Sequence, residues 1–269
     1  MTNTIAFISI KGGVGKTTLA LETASSLANH YHKKVLLIDG NLSAPNIGLH
    51  FNLTNEVTLH DALNGLPLHN TIYEAHGIDI IPANLNNKEE INPFKLKKLI
   101  AKFKPRYDYI IIDSSPNYEE LKPVIEAADK VFLVSSPDHV TLETTMKAAK
   151  LAKEQRTPIH GIIVNKIRSP RHEMNLTQIE EFSDIPVVAK IRSHKNLAKS
   201  AYYQKPITLI EPNNPVSKEI RNLSSVLCGE PEFQNKLLKR LLLKISKEKV
   251  NRDILRQEFY SKQIKNVAS

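Results

Sequence analysis

Tryptophan is absent from this chain, and cysteine occurs once, as Cys228. A lone thiol excludes a disulfide framework and any metal site built on cysteines. The ten histidines are scattered: His30 and His32 lie two apart, and no HxxxH or HExxH spacing occurs. That pattern offers no histidine metal centre. No apolar run approaches the ~18 residues of a membrane span. The residues before the strand-like run at Ile5 lack the pattern of a secretory signal. The expected compartment is the cytoplasm, where Asn-Leu-Ser/Thr triplets such as those at 41, 52 and 175 would not be glycosylated.

The remaining composition is ordinary for a globular protein. Of 269 residues, 41% are hydrophobic and 24% charged, enough for one large α/β domain or two small ones. The net charge of +9 is unevenly placed. From Phe233 to Ser269 there are ten Lys/Arg against three Asp/Glu, while residues 1–232 carry 27 against 25. A nearly neutral body thus carries a basic tail, which suits an anionic partner or a solvated helix.

Short β-branched runs at 5–10, 34–39, 78–82, 107–113, 130–135, 160–165 and 185–191 predict seven strands. Helical patterns at 17–29, 93–103, 118–128, 141–155 and 176–183 fall between several of them. Near-continuous apolar strands expect cover on both faces. Alternation with helices predicts an α/β fold: a doubly wound, mostly parallel sheet of about seven strands flanked by helices. Loops at the carboxyl ends of such strands gather binding residues, here Lys11, Asp39, Asp113 and Asn165. A further helix over 215–227 ends before Gly229, which suits a left-handed cap, and Pro231 suits the first turn of another helix. The predicted division is a nucleotide-binding domain at 1–229 and a basic amphipathic helical tail at 230–269.

The most specific chemistry lies in SIKGGVGKTTLA, residues 9–20. Gly15-Lys16-Thr17 matches the end of G-x-x-x-x-G-K-[ST], with Ile10 in place of the leading glycine. Gly12, Gly13, Val14 and Gly15 would close backbone N–H groups around phosphates, at the positive end of a helix starting near Thr17 and Thr18. Lys16 would reach the β- and γ-phosphates, and Thr17 would offer a hydroxyl to Mg²⁺. Asp113 ends the apolar run YIIID and can hold a metal-bound water. Asn165 follows GIIV, and its carboxamide can donate and accept at once, although an Asn ending a strand also serves as a plain turn residue.

KGGVGKTT, with Lys11 at its start, resembles the deviant phosphate loop of the MinD/ParA ATPases. The resemblance covers roughly residues 4–228. It implies ATP and Mg as ligands, and a homodimer formed around ATP in which Lys11 reaches the phosphates of the partner subunit. It implies contact of Asn165 with adenine and places Asp113 at the switch II position, though Asn117 follows Pro116 where the family has glycine nearby. Asp39 matches the first carboxylate of the family's D-x-D switch I pattern and joins Thr17 and Asp113 as a metal-side residue. Asn41 stands where the second carboxylate should be. An Asn can orient water but is a poor base, and loss of a positioned base costs ~10²–10⁴-fold in rate. Lys11, Lys16, Asp39 and Asn41 are therefore the expected catalytic set, with slow hydrolysis; ordinary turnover with another group supplying the role is the alternative. A single tyrosine in the tail, Tyr260, and one cysteine argue against the family's tyrosine-kinase, iron–sulfur and arsenite branches.

In the tail, Leu237, Leu238, Leu241 and Ile245 share one helical face, joined by Phe233, while Lys236, Lys239 and Arg240 lie away from it. This basic amphipathic pattern resembles the membrane-targeting helix of the family's MinD branch. Packing on the core and an unknown protein partner are alternatives. The leading expectation is an ATP-driven dimerisation switch that positions other components, at the inner face of the membrane or another anionic surface. The rivals are a ParA-like DNA-binding partition ATPase and an ATP-locked scaffold that does not hydrolyse. The near-neutral body and Leu-rich tail weigh against nucleic acid.

Overall fold

The computed structural model describes residues 2–54, 56–84, 91–168 and 171–229. The amphipathic tail expected over 230–269, with Leu237, Leu238, Leu241 and Ile245, lies outside the described residues.

In chain order the elements are β1 (Asn3–Ile8), α1 (Lys16–Asn29), β2 (Val35–Gly40), α2 (Ile47–His50), α3 (Leu59–Leu63), β3 (Tyr73–Ala75), β4 (Ile78–Ile81), α4 (Leu96–Phe103), β5 (Tyr109–Ser114), α5 (Tyr118–Ala127), β6 (Lys130–Ser135), α6 (His139–Glu154), β7 (Ile159–Ile167), α7 (Leu176–Ser183), β8 (Val187–Arg192), α8 (Leu197–Tyr203), α9 (Ile207–Ile210) and α10 (Pro215–Cys228). They form one eight-stranded sheet in the order β3-β4-β2-β5-β1-β6-β7-β8. Every pairing is parallel except that of β3 with β4.

The seven predicted strands are present, and β3 is the addition. Three residues are too few to show alternation, so Tyr73–Ala75 carries no periodic signal. It is joined to β4 by His76 and Gly77, with φ of 52° and 74°, the paired left-handed conformation of a two-residue hairpin loop.

Burial follows the sequence pattern. Tyr109–Ser114 and Val35–Gly40 are buried along their whole length, because helices cover both faces of the sheet. One apolar layer joins Ile110 and Ile112 to Leu99, Phe103, Val124 and Leu142. The opposite layer joins Ile5, Leu37 and Ile111 to Leu19, Ala24, Ile220 and Leu223. Each fully buried Ile or Leu contributes about 1.5–3 kcal/mol. The sandwich therefore holds the strand ends rigidly.

Helix starts are set by side-chain caps. Asn117, Asp138, Asn175 and Asn214 accept backbone N–H groups at the starts of α5, α6, α7 and α10. Pro215 opens α10, and Gly229 closes it in the left-handed conformation, φ 67°, as the sequence predicts.

Candidate functional site

β1 lies between β5 and β6, and β5 lies between β1 and β2. The carboxyl ends of β1, β5 and β2 therefore stand side by side. Asp39 is in register with Asp113, and Phe7 with Asp113. The phosphate loop, Asp113 and the Asp39–Asn41 segment meet there because of this strand order.

Gly15 caps α1 at φ 97°. A Cβ at that position would collide with the Asn165 side chain, so glycine is required on both conformational and steric grounds. Lys16 is 6% exposed, and its Nζ donates to the Lys11 carbonyl at 3.3 Å. The ammonium thus folds back over the loop that carries it. Burial lowers the Lys16 pKa, and the charge of Asp113 opposes that shift. Lys11, in contrast, is exposed.

Thr17 Oγ1 donates to Asp113 Oδ2 at 2.6 Å. The other oxygen of Asp113 accepts Ser114 N–H at 2.9 Å, and Ser114 Oγ donates to the Phe7 carbonyl at 2.7 Å. This ties the end of β5 to β1. Asp39 is fully buried. It accepts Asn41 N–H at 3.2 Å and the N–H groups of Asn46 and Ile47 at 3.0 Å each. One carboxylate thereby gathers the whole 41–47 loop and the start of α2.

Burial pushes the Asp39 carboxyl above the ordinary carboxylate range, and repulsion from Asp113 adds to the rise, against three backbone donors. Burial raises Asp113 as well; the Thr17 hydrogen bond and then Lys16 oppose it. Two adjacent buried carboxylates beside a hydroxyl suit a hard divalent cation such as Mg²⁺, whose charge relieves that repulsion. No cluster of three or more His, Cys, Asp or Glu able to hold a metal occurs among the described residues. The oxygens offered are therefore those of Thr17 and Asp113, with Asp39 alongside and engaged by backbone amides.

Asn41 is 5% exposed. Its Nδ2 donates to the Ala44 carbonyl at 2.5 Å, while its Oδ1 is buried with no hydrogen-bond partner. An unpaired buried acceptor costs about 1–3 kcal/mol. This orphaned oxygen is the kind of group that receives a water or a ligand donor. Past Asp113, Asn117 Oδ1 accepts Glu119 N–H, so the residue near the family's glycine position is here the cap of α5.

Asn165 sits against the phosphate loop. Its Nδ2 donates to the Val14 carbonyl at 2.8 Å, and its Oδ1 accepts Lys166 N–H at 2.8 Å. It braces the loop from a position 151 residues away in sequence. It also lines a cavity of about 210 Å³, with Gly15, Thr18, His194, Leu197 and Val216. Pockets for whole ligands span about 300–1,000 Å³. This one is the size of a fragment such as a nucleobase, opening beside the phosphate loop.

One functional neighbour escaped the sequence reading. Glu22, on α1, is fully buried. Its carboxylate accepts Ile207 N–H at 2.7 Å, Thr208 N–H at 3.0 Å and Thr208 Oγ1 at 2.9 Å. Burial raises its pKa in spite of these donors. It pins the start of α9 to α1 behind the cavity it also lines. Its signal in the sequence was a carboxylate three residues beyond Leu19 on a buried helix face.

Fold and site together define a P-loop nucleotide-binding protein. The AAA domain family matches residues 2–160, and a second AAA domain family matches 121–201. An uncharacterized ATP-binding protein of Methanocaldococcus jannaschii is 29% identical over 249 residues, covering 90% of this chain and 94% of the relative. The septum site-determining protein MinD of Bacillus subtilis is 25% identical over 244 residues, covering 86% and 90%. Among solved structures, MinD of Pyrococcus horikoshii, complexed with Mg-ADP, superposes with a TM-score of 0.79 at 25% identity, over 91% of this chain and all of that one. The chain belongs to the MinD/ParA family of P-loop ATPases.

Proposed function

We propose that the chain is an ATP-dependent dimerisation switch that hydrolyses ATP slowly and positions partner components on an anionic membrane surface. The observation that carries this reading is the arrangement at the phosphate loop of buried Lys16 and Asp113 with half-buried Thr17, whose hydroxyl lies 2.6 Å from Asp113. Lys16 binds the β- and γ-phosphates. Thr17 and Asp113 hold Mg²⁺, whose charge offsets that of the phosphates; Asp39 shapes the adjoining loop. The backbone of Gly12, Gly13, Val14 and Gly15, with Thr18, cradles the phosphates, and Asn165 both braces that cradle and faces the base cavity.

Lys11 is exposed where Lys16 is buried. A second cation projecting from the loop is placed to neutralise phosphates held by another copy of the chain. Asn41 supplies an oxygen that orients water without accepting its proton well, so hydrolysis proceeds by positioning and electrostatics at a reduced rate. The body at 1–229 carries the switch, and the tail at 230–269 carries the attachment. No helix among the described residues is long and apolar enough to cross a membrane. The MinD relatives are named for septum-site determination; a related positioning role is the reading adopted for this chain.

Lys16→Ala tests the nucleotide site. ATP binding, measured by calorimetry, should be lost, because the main cation at the β- and γ-phosphates is gone. Unchanged affinity would remove the basis of the reading.

A further inference from the structure

Two stretches of chain wall the base cavity: Ser193, His194 and Leu197 on one side, and Val216 and Ile220 of α10 on the other. Neither strand pairing nor one continuous helix joins them. The carboxylate of Glu211 links them. Glu211 accepts Asn196 Nδ2 at 3.0 and 2.8 Å, Lys199 Nζ at 2.5 Å and Asn214 Nδ2 at 2.9 Å. Asn196 and Lys199 belong to the start of α8, and Asn214 is the cap of α10, accepting Val216 N–H at 2.9 Å. His194 Nδ1 completes the circuit: it lies 3.3 Å from Asn214 Nδ2 and accepts Asn196 N–H at 3.2 Å. The Glu211 backbone is fixed too, since Ser217 Oγ donates to its carbonyl at 2.7 Å.

We propose that Glu211 is a positioning residue for nucleotide-base selection: it clasps the two walls of the cavity at the spacing that fits a purine base. This rests on reading that cavity as the base end of the nucleotide site. Glu211 touches neither the phosphate loop nor the cavity itself. It acts through His194, Asn196 and Asn214. Hydrogen bonds from Lys199 and the two Asn side chains hold the Glu211 carboxyl down to about 2. The clasp therefore stays charged throughout the physiological pH range. Charge-assisted bonds of this kind are about twice as strong as neutral ones.

The test compares ATP, GTP and inorganic tripolyphosphate binding to the full-length protein, its Glu211→Ala variant and its Glu211→Gln variant. Tripolyphosphate reads the phosphate loop alone. Glu211→Ala should weaken ATP binding by about tenfold, the equivalent of losing one charge-assisted hydrogen bond. It should narrow the preference for ATP over GTP and leave tripolyphosphate binding and kcat at saturating ATP unchanged. Glu211→Gln retains one carbonyl acceptor for the Asn side chains and should recover part of the ATP affinity. Equal loss for ATP and tripolyphosphate would mean a general loss of structure and would overturn the proposal. Unchanged ATP affinity in Glu211→Ala would overturn it as well. If the unaltered protein binds tripolyphosphate as tightly as ATP, the base-cavity reading itself fails, and the clasp with it.

Discussion

Asn41 lies two residues beyond Asp39, buried, with one half of its carboxamide tied to Ala44 and the other half unpaired. Asn41→Asp places a carboxylate at that oxygen and restores a base near the loop. ATP turnover should rise by about tenfold or more, up to the ~10²–10⁴-fold that a well-positioned base provides. Steady-state phosphate release from both proteins measures it; equal rates would show that Asn41 is not the brake. At this scale the form of the loop, a glycine-rich turn opening α1 at Lys16, was legible, because its residues lie together in the sequence. Asp39 and Asp113 were legible as strand-ending carboxylates, but their side-by-side register was not, since it depends on β2 and β5 becoming neighbours. Asn165 was expected to meet a base. The structure shows its amide braced on Val14, a contact that no local pattern encodes. Glu22 was missed for the same reason: its partners, Ile207 and Thr208, come from a segment distant in the chain.

Among the elements, long periodic ones read correctly and short ones did not. The buried strands and helices such as α6 and α10 have enough residues to show their period. α2, with four residues, and α3, with five, do not; individual hydrogen bonds hold them. α2 is held by Asp39, and α3 by a capping box in which Thr58 and Asp61 exchange bonds. The tail belongs at this scale also, read from sequence alone. Four apolar side chains partly buried in a bilayer at roughly 1 kcal/mol each give about 4 kcal/mol. Three nearby cations add about 1 kcal/mol each on an anionic surface. Ordering a helix there would cost a good part of that sum, so under the proposed reading one tail would be a weak anchor. Leu238→Glu with Leu241→Glu should abolish co-sedimentation with anionic vesicles while leaving ATP binding intact. Vesicle binding that survives the double change would contradict a membrane role for the tail; ATP-dependent duplex-DNA binding without vesicle binding would favour the partition-ATPase reading.

The described residues follow a single arrangement: one sheet, two covering layers, and a candidate phosphate site at the carboxyl ends of three adjacent strands. Sequence pattern alone led to that class, because the alternation of apolar strands and helices leaves few other packings. The family matches agree with it over most of the chain. At this scale the switch depends on pairing. Two tails on one dimer make the second membrane attachment intramolecular, which can strengthen binding by roughly 10²–10⁴-fold without a new contact. Nucleotide state then becomes location, provided that ATP pairs the chains through Lys11. Sedimentation velocity of the unaltered protein and of Lys11→Ala, each with ATP and Mg²⁺, measures that step directly. The account predicts an ATP-dependent dimer for the unaltered protein and a monomer for Lys11→Ala that still binds nucleotide; a dimer unchanged by Lys11→Ala, or no dimer with ATP at all, would contradict it.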